Sequence, residues 1–282
     1  MKLLIGTISG LLLWSDGVVS ELLPGRVYGI SKLKNRWYCF RSFEEKNEIL
    51  ELNIVSDKLV SYRTIIMSSF GVHQIDFYNE RLIVSDTRNN RILIYPNLLE
   101  IPITVVPNKI QNAQLTETHL HLNYVYCVNG ALYAIAHNLS TKYNRPSELY
   151  EISLNNYEII KHSIIDGRDC HNVYVDNNKL MFLDSFNGRV VYDGKQVFKK
   201  EDCFLRGLSV TEDYYVVGST LRASREQRNV SSILILDKSF KCIFEHKLDV
   251  AIFEIRCLDQ PDFSLSDTSR TKFNENLSLE TI

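Results

Sequence analysis

Two segments of the chain repeat one pattern of residues, and this repetition limits the fold more than any other feature. Residues 82–95 and 181–192 each contain an apolar run, the motif Asp-x-x-Asn-(Asn or Gly)-Arg, and a second apolar run. An aspartate side chain can cap a turn, and asparagine and glycine tolerate a positive φ angle. Each segment is therefore predicted to form two strands joined by a tight turn.

A short run of β-branched and aromatic residues precedes these units and recurs along the whole chain. Its copies begin near residues 27, 72, 122, 170, 205 and 253. A spacing of about 35–50 residues is typical of propeller blades, each built from four strands. The sequence thus predicts an all-β, six-bladed β-propeller, with five blades at about residues 28–72, 73–120, 121–169, 170–204 and 205–250.

The last blade is predicted to join both ends of the chain. Residues 251–258 would supply its inner strand, and residues 2–23 its three outer strands. This closure removes the open sheet edge that a partial ring would expose. The propeller is therefore predicted to span residues 1–260, and the polar residues 261–282 are predicted to form a disordered tail.

The N-terminal residues imitate a signal peptide, with one lysine followed by an apolar run. Because Thr7, Ser9 and Gly10 interrupt that run, we interpret it as strands and turns. The run is also too short to span a bilayer, so no membrane association is expected. The six cysteines contain no Cys-x-x-Cys pair, which indicates buried thiols and a cytoplasmic location.

Net charge and missing motifs exclude several classes of function. Thirty-two basic residues stand against 34 acidic ones, a formal charge of −2, so binding to nucleic acid is not expected. The sequence also contains no Gly-x-Ser-x-Gly elbow, glycine-rich phosphate loop, Rossmann fingerprint or His-Glu-x-x-His motif.

Five short motifs carry a resemblance to a known family. They are Leu-Leu-Ile-Gly-Thr at 3–7, His-Leu-Asn at 121–123, Arg-Gly-Leu at 206–208, Gly-Ser-Thr-Leu-Arg-Ala-Ser-Arg-Glu at 218–226 and Ile-Phe-Glu-Ile-Arg-Cys-Leu at 252–258. In order and spacing they resemble an uncharacterised bacterial β-propeller family, a domain of unknown function sometimes found beside tetratricopeptide repeats. The likeness covers about residues 3–262, and the turn motif resembles that of NHL-type repeats. The resemblance implies a propeller and no established activity.

In a propeller, the inner strand of each blade lines a central channel, and the first residues of these strands face one entrance. His73, His121 and His171 lie at this level on three consecutive blades, and Glu254 lies there on the last. Neutral imidazoles are the commonest metal ligands, so these residues form a candidate site for Zn²⁺ or Mn²⁺. The alternative is a polar channel whose side chains hydrogen-bond one another.

Further polar residues are predicted to reach the same entrance and to bind an anionic ligand. Tyr28, Asn123 and Arg206 begin inner strands, and Arg222, Arg225 and Glu226 lie in a loop of the fifth blade. Arginines bind carboxylate, sulfate or phosphate through paired hydrogen bonds, although a solvated charged loop is the alternative. The loop from His137 to Ser147 is the other long loop predicted on this face.

These candidates lead to two hypotheses of function. The first is a metal-dependent lyase or hydrolase that acts on an anionic or sugar-like small molecule. The second is a non-catalytic propeller that binds a ligand or a protein partner. Propellers host both kinds of function, so the predicted fold does not decide between an enzyme and a binding protein.

Overall fold

The computed structural model describes residues 1–68, 71–98, 100–105, 120–138, 144–222, 230–268 and 270, and strands joined by short turns make up most of these residues. In chain order the strands are β1 (Lys2–Thr7), β2 (Gly10–Ser15), β3 (Val18–Pro24), β4 (Arg26–Leu33), β5 (Arg36–Phe43), β6 (Lys46–Val55), β7 (Lys58–Ser68), β8 (Val72–Tyr78), β9 (Arg81–Asp86), β10 (Arg91–Tyr95), β11 (Ile103–Val105), β12 (Leu122–Val128), β13 (Ala131–Ala136), β14 (Ser147–Ser153), β15 (Ile159–Ile165), β16 (His171–Asp176), β17 (Lys179–Asp184), β18 (Arg189–Tyr192), β19 (Lys195–Lys199), β20 (Cys203–Val210), β21 (Tyr214–Leu221), β22 (Ser231–Asp237), β23 (Cys242–Leu248) and β24 (Ile252–Cys257).

These strands form six antiparallel sheets of four, which are the blades of a β-propeller. Five blades are built from consecutive strands and run β4–β7, β8–β11, β12–β15, β16–β19 and β20–β23. The sixth has the order β24-β1-β2-β3, so both ends of the described chain meet in one sheet. Leu4 pairs with Arg256, and Ile5 with Ile255, at this junction. The predicted six-bladed propeller and its mode of closure are confirmed.

The repeated turn motif has the structure that its residues predict. Asp86 accepts hydrogen bonds from the side-chain amide of Asn89 at 3.0 Å and from Nε of Arg91 at 2.6 Å. Asp184 does the same with Asn187 at 3.0 Å and Arg189 at 2.5 Å. The residue before each arginine has a positive φ, 52° at Asn90 and 66° at Gly188. One buried carboxylate thus fixes each turn.

Apolar side chains of alternating strand residues fill the spaces between neighbouring blades. In β1, Leu3 and Ile5 pack with Val216 and Ile233 of the fifth blade. Leu4, which lies between them in sequence, points to the other side and packs with Ile30 of the first blade. Because successive strand residues face opposite sides of a sheet, a single strand serves two interfaces.

The end of the channel where the inner strands finish is filled by residues 262–268, which we call the plug. Asp262 accepts from Ser209 Oγ at 2.6 Å and from the backbone N–H of Cys257 at 3.0 Å. Phe263 is 5% exposed and Leu265 2% exposed. For these residues the prediction of a disordered tail is wrong, since hydroxyl and carboxylate groups pair with backbone groups that the strand ends leave open. Of the rest of the predicted tail, the structure describes only Pro261 and Arg270.

The prediction of buried thiols holds for five of the six cysteines. All six cysteines are free thiols; Cys242 is exposed and the other five are buried. Within the described ranges, no helix has the length and apolar character needed to cross a membrane.

Candidate ligand site at the channel mouth

Each inner strand departs from regular pairing close to its first residue. The register skips Gly29 in β4, His73 in β8, Asn123 in β12, Asn172 in β16, Arg206 and Gly207 in β20, and Phe253 in β24. Such bulges change the direction of a side chain and are common beside functional sites. All six lie at the end of the channel where the inner strands begin, which we call the mouth.

Four histidine rings form a continuous arc at the mouth. The ring centroids of His73 and His121 are 4.8 Å apart, those of His121 and His137 are 4.7 Å apart, and those of His137 and His171 are 5.3 Å apart. His137 and His171 are each only 4% exposed. The predicted convergence of three histidines at one level is therefore observed. His137 joins them from the turn after β13, at the start of the second long loop predicted on this face.

Asn123 links the two ends of this arc by hydrogen bonds. Its Oδ1 lies 2.7 Å from Nδ1 of His73, and its Nδ2 lies 3.0 Å from Nε2 of His171. Nδ1 of His171 lies 2.8 Å from the carbonyl oxygen of Asp169, so this nitrogen carries the proton and Nε2 accepts from Asn123. The asparagine therefore holds both rings in one orientation.

The mouth is an environment that disfavours further positive charge. The pKa of His171 lies well below its usual value of 6.5, first because the ring is buried and then because Arg206, His137 and His73 are close. His171 thus remains neutral at physiological pH. The carboxylate of Asp169 lies 3.4 Å from Nδ1 of His137 and fixes the orientation of that ring as well.

Aromatic rings and Arg206 form the other side of the mouth. The Tyr28 ring lies parallel to those of His73 and Phe253, with centroids 4.9 Å and 4.5 Å away. The guanidinium of Arg206 lies 5.2 Å from the Tyr28 ring and 4.8 Å from the Phe253 ring. Cation–π contacts of this kind hold an arginine side chain in place.

Glu254 belongs to a layer deeper in the channel, not to the histidine arc. Its carboxylate is 2% exposed and accepts from the backbone N–H groups of Ile255 at 3.1 Å and Leu208 at 3.4 Å. It also contacts Asn172 at 3.3 Å and Arg256 at 3.4 Å. Burial raises the pKa of Glu254, while Arg256 and these backbone bonds lower it. The deeper channel is therefore filled by a hydrogen-bonded polar network.

The predicted metal ligands do not fit a metal centre in this arrangement. Both ring nitrogens of His171 are engaged in hydrogen bonds, and Glu254 is bonded to a different set of groups from His73 and His121. In the part of the chain that the structure describes, no group of three or more His, Cys, Asp or Glu side chains is placed to hold a metal ion. The polar, hydrogen-bonded alternative describes these residues better.

The predicted arginine loop is only partly described. Arg222 pairs with Asp202 at 3.2 Å, and its guanidinium lies 5.0 Å from the ring of Phe186. It thus lies on the face of the mouth, beside the fourth blade. Arg225 and Glu226 lie outside the described residues, and their predicted role in ligand binding stays a prediction.

The fold resembles that of solved structures whose sequences are very different. A chain of the nidogen/laminin complex superposes with a TM-score of 0.67 at 12% identity, over 92% of this chain and 99% of that one. A putative 6-phosphogluconolactonase from Bacteroides fragilis gives a TM-score of 0.56 at 11% identity, over 92% and 98% of the two chains. The WD40 β-propeller domain of Doa1 gives 0.56 at 11% identity, over 94% and 82%.

These likenesses show the fold and leave the function open, because propellers serve both as enzymes and as scaffolds. No family model and no curated protein matches the sequence of the chain. The site must therefore be interpreted from its own residues.

Proposed function

We propose that the protein binds a small anionic ligand at the mouth of its channel, and that it does so without a metal ion. The observation that carries this proposal is the convergence of the Arg206 guanidinium with four histidine rings at one end of the channel. Guanidinium binds carboxylate or phosphate through paired hydrogen bonds, and the histidine arc surrounds this group with polar rings. The plug fills the opposite end, so the mouth is the entrance that such a ligand would use.

The fixed geometry of the mouth supports recognition rather than metal chemistry. Asn123 and Asp169 hold three of the histidine rings, and the stacked rings of Tyr28 and Phe253 hold Arg206. Donors that are already oriented lose little entropy when a ligand binds. The metal-dependent lyase or hydrolase is the weaker candidate, because its expected ligands are bonded to one another and to the protein backbone.

Calorimetric titration of the full chain with inorganic phosphate, and separately with citrate, tests the proposal. Arg206→Gln is expected to weaken binding about 10- to 100-fold, since a hydrogen bond to a charged group contributes about 1.5–3 kcal/mol. Arg63→Gln is the matched control, because Arg63 lies on the outer strand of the first blade and is 71% exposed. Treatment of the wild type with a chelator should leave the affinity unchanged.

Two results would overturn the proposal. One is equal affinity of Arg206→Gln and Arg63→Gln for both anions, which would show that Arg206 does not contact the ligand. The other is loss of binding after chelation with recovery on adding Zn²⁺ or Mn²⁺, which would restore the metal hypothesis. Circular dichroism of each variant ensures that the fold is intact.

A further inference from the structure

A second recess opens on the face of the mouth, between the third and fourth blades. This interblade groove encloses about 580 Å³ and is lined by residues 144–146, residues 164–168 and Asn187. Its charged residues are Arg145, Arg168 and Asp166, so two positive charges stand against one negative charge. The side chain of Asp166 is 94% exposed and lies 3.6 Å from Arg189, which also pairs with Asp184 at 2.5 Å. The groove is therefore a recess lined by charged side chains.

Arg168 is the residue of the groove that is best placed to bind an anion. Its guanidinium lies 4.9 Å from the ring of Phe186, which also contacts Arg222 from 5.0 Å. Arg222 is neutralised by Asp202, and the neighbouring Arg189 by Asp184 at 2.5 Å. Within the described ranges, by contrast, Arg168 makes no ion pair. An aromatic ring thus positions a positive charge that no described carboxylate balances.

The backbone that carries Arg168 is held firmly. The N–H of Arg168 donates to Asp184 at 2.8 Å, which is the same carboxylate that fixes the repeated turn of this blade. A side chain at Gly167 would place Cβ 2.3 Å from Sγ of Cys170, so only glycine fits there. The N–H of Cys170 donates to Ser147 Oγ at 3.1 Å. The groove wall is therefore a fixed part of the fold.

The same wall borders the mouth. Asp169 follows Arg168 directly, and its carbonyl oxygen accepts from His171 at 2.8 Å. Its carboxylate faces His137 at 3.4 Å. Asp169 is fully buried between the two recesses, so the groove and the histidine arc lie on opposite sides of one short segment.

We infer that the ligand of this site carries two anionic groups, one bound at the mouth and the second in the interblade groove by Arg168. The inference rests on the proposed function and specifies its ligand class, a bis-phosphate or dicarboxylate molecule. Arg206 with the histidine arc takes one group, and Arg168, which lines the groove together with Arg145, takes the other. Once the first anionic group is bound, binding of the second group is intramolecular. The affinity therefore rises only when the spacing between the two anionic groups matches the distance between the mouth and the interblade groove.

Calorimetry with a series of alkanediol bisphosphates of increasing length, compared with the alkyl monophosphates, measures this coupling. In the wild type, one chain length is expected to bind at least 10-fold more tightly than its monophosphate. Arg168→Gln should remove that gain and leave the monophosphate affinity unchanged. Arg206→Gln should weaken both probes, and Arg63→Gln should change neither. Thermal melting of each variant checks that the blades remain folded.

The outcomes separate this inference from the function on which it rests. If Arg206→Gln weakens monophosphate binding but no bisphosphate exceeds its monophosphate, the anion site stands and the two-group ligand is refuted. If Arg168→Gln lowers the affinity for monophosphate and bisphosphate equally, the groove is not a separate subsite and the inference is also refuted. If Arg206→Gln changes neither probe, the proposed function itself fails.

Discussion

The Arg256 side chain connects the inner strands of several blades, and its replacement tests how the deep channel is stabilised. The side chain is fully buried. It donates to the carbonyl oxygens of Ile30 at 2.9 Å and Leu208 at 2.6 Å, and to the hydroxyl of Tyr124 at 2.8 Å. These partners lie on the first, fifth and third blades, while Arg256 itself is on the sixth. One guanidinium thus ties together four of the six inner strands.

Arg256→Met is expected to lower the free energy of unfolding by about 3–5 kcal/mol, the usual cost of breaking a buried charge pair by removing one partner. The loss arises mainly because Glu254, 3.4 Å away, would remain buried without its cation. The carbonyl and hydroxyl partners would also lose their donor, including Ser264 of the plug at 3.1 Å. Methionine fills the space of the aliphatic part of the arginine side chain, which limits the cavity that is left.

Urea denaturation followed by circular dichroism measures this change, provided that the slope of the transition stays the same. The double variant Glu254→Gln, Arg256→Met should recover part of the loss, because no isolated charge is then buried. Arg256→Lys keeps the charge but cannot reach all the acceptors, so it should fall between the wild type and Arg256→Met. A loss below about 1 kcal/mol in Arg256→Met, or a double variant no more stable than the single one, would refute the reasoning.

Two further predictions concern closure of the ring and pH. Deletion of residues 2–24 removes three strands of the sixth blade, so the truncated chain should fail to fold; a soluble monomer that melts cooperatively would contradict this. Burial raises the pKa of Asp76 from 3.8 to about 6, so its contribution to stability is complete below pH 3.8 and is lost as the pH rises through about 6. Between pH 3.8 and about 6 the wild type should lose stability that Asp76→Asn retains, so the difference in their free energies of unfolding should change with pH in urea titrations. A difference that stays constant over this interval would show that Asp76 is not the group responsible.

Much of the architecture follows from local features of the sequence. The Asp-x-x-Asn-x-Arg turns form because each motif contains its own hydrogen-bond partners within six residues. The alternation of apolar residues in β1 determines which side chains face each neighbouring blade. The spacing of the repeats then sets the number of blades, and the apolar character of residues 2–23 and 251–258 indicates that these segments pair.

The content of the site depends on contacts between residues that are far apart in sequence. Glu254 was predicted at the mouth beside the histidines, but the bulge at Phe253 directs Phe253 there and Glu254 inward to Arg256. A bulge shifts every later side chain to the opposite face, and its position depends on the pairing of two strands. The position of Glu254 therefore depends on how β24 pairs with β1, which the sequence of β24 alone does not specify.

The plug, the fourth histidine of the arc and the groove arginine were likewise decided by the tertiary structure. Residues 262–268 have the polar composition of a disordered tail, yet Asp262 pairs with Ser209 and Cys257 at the ends of two inner strands. His137 enters the arc because a turn in the third blade lies beside Asp169 of the next connection. The sequence by itself determined the repeating strands and turns, since those depend on neighbours along the chain. Which polar groups meet in the channel depends on six strands closing into a ring, and only the folded ring determines that.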